Sequence, residues 1–250
     1  MSLPPRTREL AASFARVADE YDAGRPPYPV GVLDVLADRV GLSPTSVVLD
    51  LAAGTGRLTS VLTESGARVV AVEPLAELRS RIRGADPLDG TAEAIPLDDA
   101  SVDVVTVGDA WHWFDGDAAA AEVARVLRPG GGIALLWQSP SPTSPAPWHD
   151  RIGEVFGPLI VDHPGFTEDQ GRGALDRHEA FGPLREDSVP YEWTVSPGTY
   201  LAYLMSASFV ASLPEERRPA VRADLKAALP MAEATLTLRF ETRIWTARRR

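Results

Sequence analysis

The stretch Val47–Thr59, VVLDLAAGTGRLT, decides the fold of this chain of 250 residues. It reads as a short buried strand that ends in an acid, followed by a glycine turn and the start of a helix. The stretch Val69–Pro74, VVAVEP, follows as a second strand that ends in another acid, Glu73. This order is typical of a nucleoside pocket at the carboxyl edge of a parallel sheet.

Two details of the glycine turn narrow the choice of nucleoside. A dinucleotide fingerprint has a third glycine three residues after Gly56, where this chain has Thr59. A phosphate-binding P-loop has a lysine that this turn lacks. A short glycine turn with an acid after the second strand suits an adenosine that carries no phosphate. The sequence therefore predicts S-adenosylmethionine as the cofactor, and a nicotinamide-dependent oxidoreductase is a less favoured alternative.

The chain around this stretch alternates strands and helices. Short apolar runs predict strands at 46–51, 68–73, 87–91, 102–107 and 131–137, with helices between them at 56–65, 75–83 and 116–127. Alternating units of this kind imply a parallel sheet with right-handed crossovers.

Further elements are predicted on both sides of this core. Residues 9–21 and 32–40 have the apolar spacing of helices, and three prolines in Asp22–Pro29 predict an extended or turn segment. After the core we expect a proline-serine loop at 139–147, a helix at 148–160, an irregular stretch at 163–183, strands at 188–195 and 233–246, and helices at 197–212 and 214–229. The whole predicts one α/β domain with a doubly wound, mostly parallel seven-stranded sheet, a C-terminal antiparallel hairpin and a helical insertion.

Composition excludes several classes of function. The formal net charge of −10 disfavours a nucleic-acid substrate, because backbone phosphates require a basic surface. Cysteine is absent, and the four histidines lack the spacing of metal ligands, so we expect no metal site. No apolar run approaches membrane-spanning length, so we expect no membrane partner and a cytoplasmic location. The sequence does not indicate an oligomeric state.

Several polar residues follow the predicted strands directly, at the edge where such sheets bind ligands. Asp50 ends the first strand, and Gly54 and Gly56 flank the turn where the backbone passes close to a ligand. Glu73 is placed to accept the ribose hydroxyls, although an acid before a helix also favours the helix dipole. Asp109 follows the fourth strand and faces the reacting end of the cofactor, unless it serves only the turn.

His112, in the run Trp111–Phe114, is the candidate general base, because an imidazole removes a proton near neutral pH. The structural alternative is a histidine that caps the helix at 116–127. Trp111, Trp113 and Phe114 are either core residues or walls of an acceptor pocket. Tyr21 and Arg25 are predicted to form the other edge of the site, where an arginine fork suits a carboxylate.

Four segments together resemble the class I S-adenosylmethionine-dependent methyltransferases. They are VLDLAAGTGRLT, VVAVEP, TAEAIPLDDASVDVVTVGDAWHWFD and EVARVLRPGGGIALLW, with FARVADEYDAGRPPYP upstream. Within that class the chain is most similar to the methyltransferase type 11 group, which includes trans-aconitate methyltransferase-like and quinone-biosynthesis-like enzymes. The resemblance covers about residues 10–137.

This resemblance implies a role for each matched residue. The turn from Ala52 to Gly56 would run against the cofactor, and Glu73 would hold the ribose. Ala92 and Glu93 would lie by the adenine, and Asp109 would lie near the methionine end. The chain departs from the group at Ala52-Ala53, where glycine or cysteine is common, and at Asp109, where glutamine is common.

The expected function is methylation of a small molecule, at the oxygen of a carboxylate or hydroxyl first and at carbon next. We expect residues 1–45 to form an N-terminal helical lid, 46–137 the cofactor-binding core, and 138–250 the loop, the insertion and the last two strands. Residues at about 196–230, together with the N-terminal helix, are expected to cover the active site and to set the choice of acceptor. A non-catalytic protein that binds S-adenosylmethionine is the alternative that the sequence leaves open.

Overall fold

One seven-stranded sheet organises the fold, seen in a computed structural model that describes residues 17–141, 148–160 and 171–250. Its strands are β1 Val47–Leu51, β2 Arg68–Val72, β3 Asp86–Leu88, β4 Val102–Gly108, β5 Leu127–Pro140, β6 Arg185–Val195 and β7 Leu236–Arg248. They lie in the order β3-β2-β1-β4-β5-β7-β6. Strands β1 to β5 are parallel, and β7 is antiparallel to both of its neighbours. The predicted fold class is confirmed.

The strand order reverses beside β1, and this reversal positions the site. The chain runs outward from β1 through β2 to β3, and then crosses back so that β4 pairs with β1. Ligands of open parallel sheets bind at such a switch point, outside the carboxyl ends of the strands. Strands β1 and β4 are apolar because helices cover both faces of the sheet. Leu49 of β1 and Val105 of β4 are fully buried.

Ten α-helices are described. They are α1 Ala18–Gly24, α2 Val32–Val40, α3 Arg57–Glu64, α4 Ala76–Arg79, α5 Gly116–Val126, α6 His149–Phe156, α7 Gly173–Arg177, α8 Pro197–Met205, α9 Ser208–Ala211 and α10 Arg218–Ala228. Among the described residues, no helix has the length and apolar character needed to cross a bilayer.

Three helix predictions differ from the structure. The stretch 163–183 was expected to be irregular, but it contains α7 at Gly173–Arg177. The stretch 22–29 was expected to be non-helical throughout, but α1 continues to Gly24 because its first proline comes only at Pro26. The single helix predicted at 197–212 is two helices, since the Ser206 hydroxyl bonds back to the Tyr203 carbonyl and ends α8. The predicted helix 9–21 and loop 139–147 lie largely outside the described residues.

Helix α1 rests directly on α8 of the helical insertion. A Cβ atom at Gly24 would lie 2.3 Å from the Tyr203 backbone nitrogen and 2.5 Å from the Ala202 carbonyl carbon. Only glycine allows two backbones to approach this closely. The contact holds α1 at the carboxyl edge of the sheet, where Tyr21 and Arg25 line a cavity.

Candidate cofactor and acceptor site

The turn between β1 and α3 has an unusual backbone. Ala52, Gly54 and Gly56 have φ angles of 55°, 59° and 86°, all in the left-handed region. Glycine adopts this region without strain, whereas alanine pays roughly 1 kcal/mol. Ala52 therefore stores backbone strain in this turn. Such strain persists where the surrounding structure holds a loop in one functional shape.

Glu73 fixes this turn from the neighbouring strand. Its side chain is 4% exposed, and its carboxylate accepts hydrogen bonds from the Gly54 and Leu75 backbone nitrogens, both at 2.9 Å. Burial raises the pKa of Glu73, and the two N–H donors oppose this shift. Each carboxylate oxygen has a second lone pair and can accept a further hydrogen bond. The carboxylate thus has spare acceptors for two hydroxyl groups, although its ribose role stays a prediction.

A cavity of about 310 Å³ lies above this turn, at the carboxyl ends of β1, β2 and β4. Leu75, Leu78, Ala92 and Phe114 line one part of it with apolar surface. Glu93 also lines the cavity, and one of its oxygens accepts a hydrogen bond from the Asp115 backbone nitrogen at 2.9 Å. The structure therefore places the predicted adenine residues together, with Glu93 partly committed to holding the start of α5.

Asp109 lies where this cavity meets a larger one of about 400 Å³, which is described below. Its φ angle is 52°, and its carboxylate accepts hydrogen bonds from the Tyr28 hydroxyl and the Gln138 backbone nitrogen, both at 2.9 Å. Gly108 makes room for Tyr28, since a Cβ there would lie 2.5 Å from the phenol oxygen. Burial raises the pKa of Asp109, and the nearby Arg25 opposes the shift. Sequence reasoning missed Tyr28 and Gln138, because their partners are distant in the chain.

Three buried donors surround a small polar cavity of about 30 Å³ beside the turn. They are Arg25 Nε, Thr55 Oγ1 and Arg57 Nε, and none has a hydrogen-bond partner among the described residues. Unmatched buried donors are costly unless a ligand or water satisfies them. Two guanidinium groups and a hydroxyl suit a carboxylate. The residues present therefore fit the amino-acid end of S-adenosylmethionine, with the nucleoside over Glu73.

A third cavity has a volume of about 400 Å³, and we call it the acceptor cavity. It shares Arg25, Asp109 and Trp113 with the 310 Å³ cavity above the turn. The sheet edge contributes His112 and Trp137, and the helical insertion and its neighbours contribute Ile152, Phe156, Tyr200, Tyr203 and Phe209. Sequence reasoning named none of the individual residues after Trp113 in this wall, although Tyr200, Tyr203 and Phe209 lie in the segment at about 196–230 that was expected to set acceptor choice. They belong to separate elements that only tertiary packing brings together.

His112 lines the acceptor cavity from a short 3₁₀ turn, Trp111–Trp113. Its ring lies 4.3 Å from Trp113 and 4.8 Å from Trp137, centroid to centroid. The N-cap position of α5 belongs to Asp115, whose carboxylate accepts the Ala118 backbone N–H. The catalytic role of His112 stays a prediction.

The other aromatic residues of this run divide between core and cavity. Trp111 is buried, and its indole nitrogen donates to the Gly171 carbonyl at 3.0 Å, so it belongs to the core. Phe114 lines the cofactor cavity, and Trp113 lines both cavities. Of the two alternatives, Trp111 follows the core reading, and of the three residues only Trp113 lines the acceptor cavity.

Asp50 lies beneath the turn, 1% exposed, and it also borders the small polar cavity. The Thr59 hydroxyl donates to its carboxylate at 2.6 Å, so the residue in the third-glycine position of a dinucleotide fingerprint here holds the acid of β1. Burial outweighs this bond and raises the pKa of Asp50 to about 7. The buried carboxylate is thus a source of pH-dependent stability.

Replacing Asp50 by asparagine is expected to change the free energy of unfolding relative to wild type more favourably at pH 8 than at pH 4. The pKa of Asp50 is about 7 in the fold against a usual 3.8, so folding favours the protonated acid. That stabilisation is complete below pH 3.8 and is lost as the pH rises through 7, at about 1.4 kcal/mol per pKa unit. Asparagine does not titrate. Urea unfolding of both proteins at the two pH values measures the difference, and an advantage of asparagine that shrinks with rising pH would contradict it.

Comparison with known proteins agrees with this geometry. The sequence profile of the methyltransferase domain family matches residues 49–135, which include the turn, Glu73 and Asp109. An uncharacterized methyltransferase of Mycobacterium tuberculosis is 38% identical over 217 residues, covering 84% of this chain and 83% of the relative. An uncharacterized methyltransferase-like protein of Schizosaccharomyces pombe is 34% identical over 218 residues, covering 85% and 84%.

A solved structure extends the likeness to the whole fold. It is assigned as a type II methyltransferase from Anaeromyxobacter dehalogenans, with 25% identity and a TM-score of 0.66, and it covers 90% of this chain and 97% of its own. The matched sequence, the shared fold and the fit of the cavities to S-adenosylmethionine agree. The chain belongs to the S-adenosylmethionine-dependent methyltransferase family.

Proposed function

We propose that this enzyme transfers a methyl group to an oxygen atom of a small molecule held in the acceptor cavity. The observation that carries the proposal is the meeting of the two cavities at Arg25, Asp109 and Trp113. A donor in one cavity and an acceptor in the other approach each other there and nowhere else among the described residues. The acceptor cavity is of the size that takes a small organic ligand.

The residues of the site have separable tasks in this reaction. When bound, S-adenosylmethionine supplies an electrophilic methyl group on a sulfonium. Glu73 and the glycine turn hold the nucleoside, and Arg25 with Arg57 holds the carboxylate end. These contacts fix the methyl group toward the acceptor cavity, and most of the rate enhancement comes from this orientation.

An imidazole nitrogen of His112 takes the proton from an acceptor hydroxyl. The O–H bond therefore breaks as the oxygen forms its new bond to the methyl carbon. Its position on the wall of the acceptor cavity, flanked by two tryptophans, supports this role. A carboxylate acceptor would need no base, so the effect of removing His112 also distinguishes the two oxygen acceptors.

Replacing His112 by glutamine is expected to lower kcat about 100-fold or more, with cofactor affinity unchanged, because general bases contribute roughly 10²–10⁴-fold. Steady-state kinetics that follow S-adenosylhomocysteine formation measure kcat, and calorimetric titration measures cofactor affinity. Unchanged turnover of a hydroxyl acceptor would contradict the role of His112.

The proposed function itself is tested by calorimetric titration with S-adenosylmethionine, followed by a screen of hydroxyl and carboxylate acceptors. Micromolar binding together with acceptor-dependent formation of S-adenosylhomocysteine supports it. Binding without turnover of any acceptor would instead favour a non-catalytic cofactor-binding protein. A methyl group found on carbon in the product would overturn the assignment to oxygen.

We also propose that the segment before β1, with helices α8 to α10, acts as a lid over both cavities. Arg25 supports this, because it lines all three cavities and stands over the Tyr203 ring of α8 at 5.5 Å. Closure of such a lid excludes water from the sulfonium. Limited proteolysis before β1 should slow when cofactor is added, and equal rates would contradict a lid.

A further inference from the structure

The lining of the acceptor cavity points to the chemical class of its ligand. We propose that the acceptor is an uncharged aromatic compound that carries a hydroxyl group, that is, a phenol with a flat ring system. This inference rests on the proposed function and narrows it, because it excludes aliphatic acids and sugar-like acceptors.

Aromatic side chains line the cavity from two directions. Trp113 and Trp137 stand beside His112 at the sheet edge, and Phe156, Tyr200, Tyr203 and Phe209 come from three different helices. Aromatic rings associate with one another through offset and edge-to-face contacts, beyond the effect of buried area. A flat ring that enters this cavity can make such contacts with both sides, whereas a saturated ring of equal size cannot.

The fixed charges of the cavity nearly cancel. Arg25 and Asp109 are its only Arg, Lys, Asp or Glu residues among the described lining, and they carry opposite charges. The guanidinium group of Arg25 also lies 4.9 Å from the Tyr21 ring centre and beside the small polar cavity that suits the cofactor carboxylate. Burial lowers the pKa of His149 against the opposing effect of Asp150, which disfavours a positive charge on this imidazole. An acidic acceptor would therefore be desolvated without a cation of its own, which disfavours it.

Three polar residues of the sheet edge lie close to the boundary with the cofactor cavity. Asp109 lines both cavities, the Gln138 backbone nitrogen donates to its carboxylate at 2.9 Å, and His112 directly precedes Trp113, which also lines both. The helical side contributes His149 and Ser208 among apolar residues such as Ile152, Phe156 and Leu204. A phenol fits this division, because its ring meets the apolar part and its hydroxyl meets the polar end. The hydroxyl proton passes to His112, and the oxygen forms its new bond to the transferred methyl carbon as the carbon–sulfur bond breaks.

Gly153 of α6 offers a way to block the cavity without disturbing the core. It lines the cavity and is exposed, and a Cβ atom there would meet no described atom within 4 Å. A larger side chain at this position has free space at the cavity mouth. The neighbouring Glu154 is exposed on the same helix and does not line the cavity, so Glu154→Leu is a matched control for Gly153→Leu.

The decisive experiment compares three probes of similar size, 2-naphthol, decahydro-2-naphthol and 2-naphthoate. Turnover is followed as S-adenosylhomocysteine formation, and binding is measured by calorimetry with S-adenosylhomocysteine present. We expect 2-naphthol to be methylated at least about tenfold faster, and bound at least about tenfold more tightly, than either other probe. Gly153→Leu should weaken 2-naphthol binding about tenfold with cofactor affinity unchanged, and Glu154→Leu should leave both unchanged.

The outcomes separate this inference from the proposed function. Equal or faster methylation of the saturated alcohol or the acid would overturn the aromatic class while leaving methyl transfer intact. If no probe is methylated, the calorimetric ranking decides the class alone, and 2-naphthol binding no better than the others overturns it. Equal behaviour of the two leucine variants would show that the phenol does not occupy this cavity.

Discussion

Replacing Glu73 by alanine is expected to weaken binding of S-adenosylmethionine about 100-fold and to lower the melting temperature of the free protein. The carboxylate offers two spare acceptors to the ribose hydroxyls, and each hydrogen bond to a charged group is worth about 1.5–3 kcal/mol. The same change leaves the Gly54 and Leu75 backbone N–H groups without their acceptor. Calorimetric titration measures the first effect, and thermal unfolding measures the second.

Two further variants isolate the cause. Glu77→Ala removes an exposed acid of α4, four residues away, and should change neither quantity. Glu73→Gln keeps the shape of the side chain but points an amide donor at one backbone N–H, so it should bind cofactor as poorly as alanine. Wild-type affinity in Glu73→Ala would show that the ribose is held elsewhere.

Replacing Gly24 by alanine is expected to lower kcat/KM more than about 100-fold while leaving the sheet folded. The new Cβ would lie within 2.5 Å of two backbone atoms of α8, which have no freedom to move as a side chain tip has. Helix α1 must then separate from α8 and carry Arg25 away from the junction of the cavities. A misplacement of about 1 Å in a positioning group can cost on the order of 10²-fold in rate.

The control for this variant is Ala23→Leu, which adds more bulk at an exposed position of the same helix and should leave kcat/KM unchanged. Cofactor affinity should also fall in Gly24→Ala, since Tyr21 and Arg25 line the cofactor cavity. Urea unfolding of the core should stay cooperative. Activity within threefold of wild type would mean that the contact between α1 and α8 does not position the site.

The cofactor half of the site was predictable because its signals are local. The glycine turn, Asp50 and Glu73 each follow an apolar strand within a few residues, and the order of strands then brings them to one edge. The structural role of Thr59 could not be read from the sequence. Its presence argued against a dinucleotide, but only the structure shows that its hydroxyl holds Asp50.

The individual residues of the acceptor half were not predictable, because they share no local pattern. Trp137, Tyr203 and Phe209 lie on a strand and two helices whose spacing says only that they are partly buried. The short 3₁₀ turn also separates neighbours in sequence, since Trp111 enters the core and His112 faces the cavity. Turns of this kind are set by tertiary packing, which single-sequence periodicity does not report.

The division of the site between two parts of the chain has a consequence for how this enzyme family diversifies. The donor pocket is built on β1, β2 and β4, whereas half of the residues that line the acceptor cavity lie on α6, α8 and α9. If that cavity holds the acceptor as proposed, substitutions in those helices that do not disturb Arg25 are expected to change the acceptor and to leave binding of the methyl donor unchanged. One sheet edge can therefore serve many acceptors in the course of evolution, with Arg25 and Asp109 as the boundary that the two halves must keep in common.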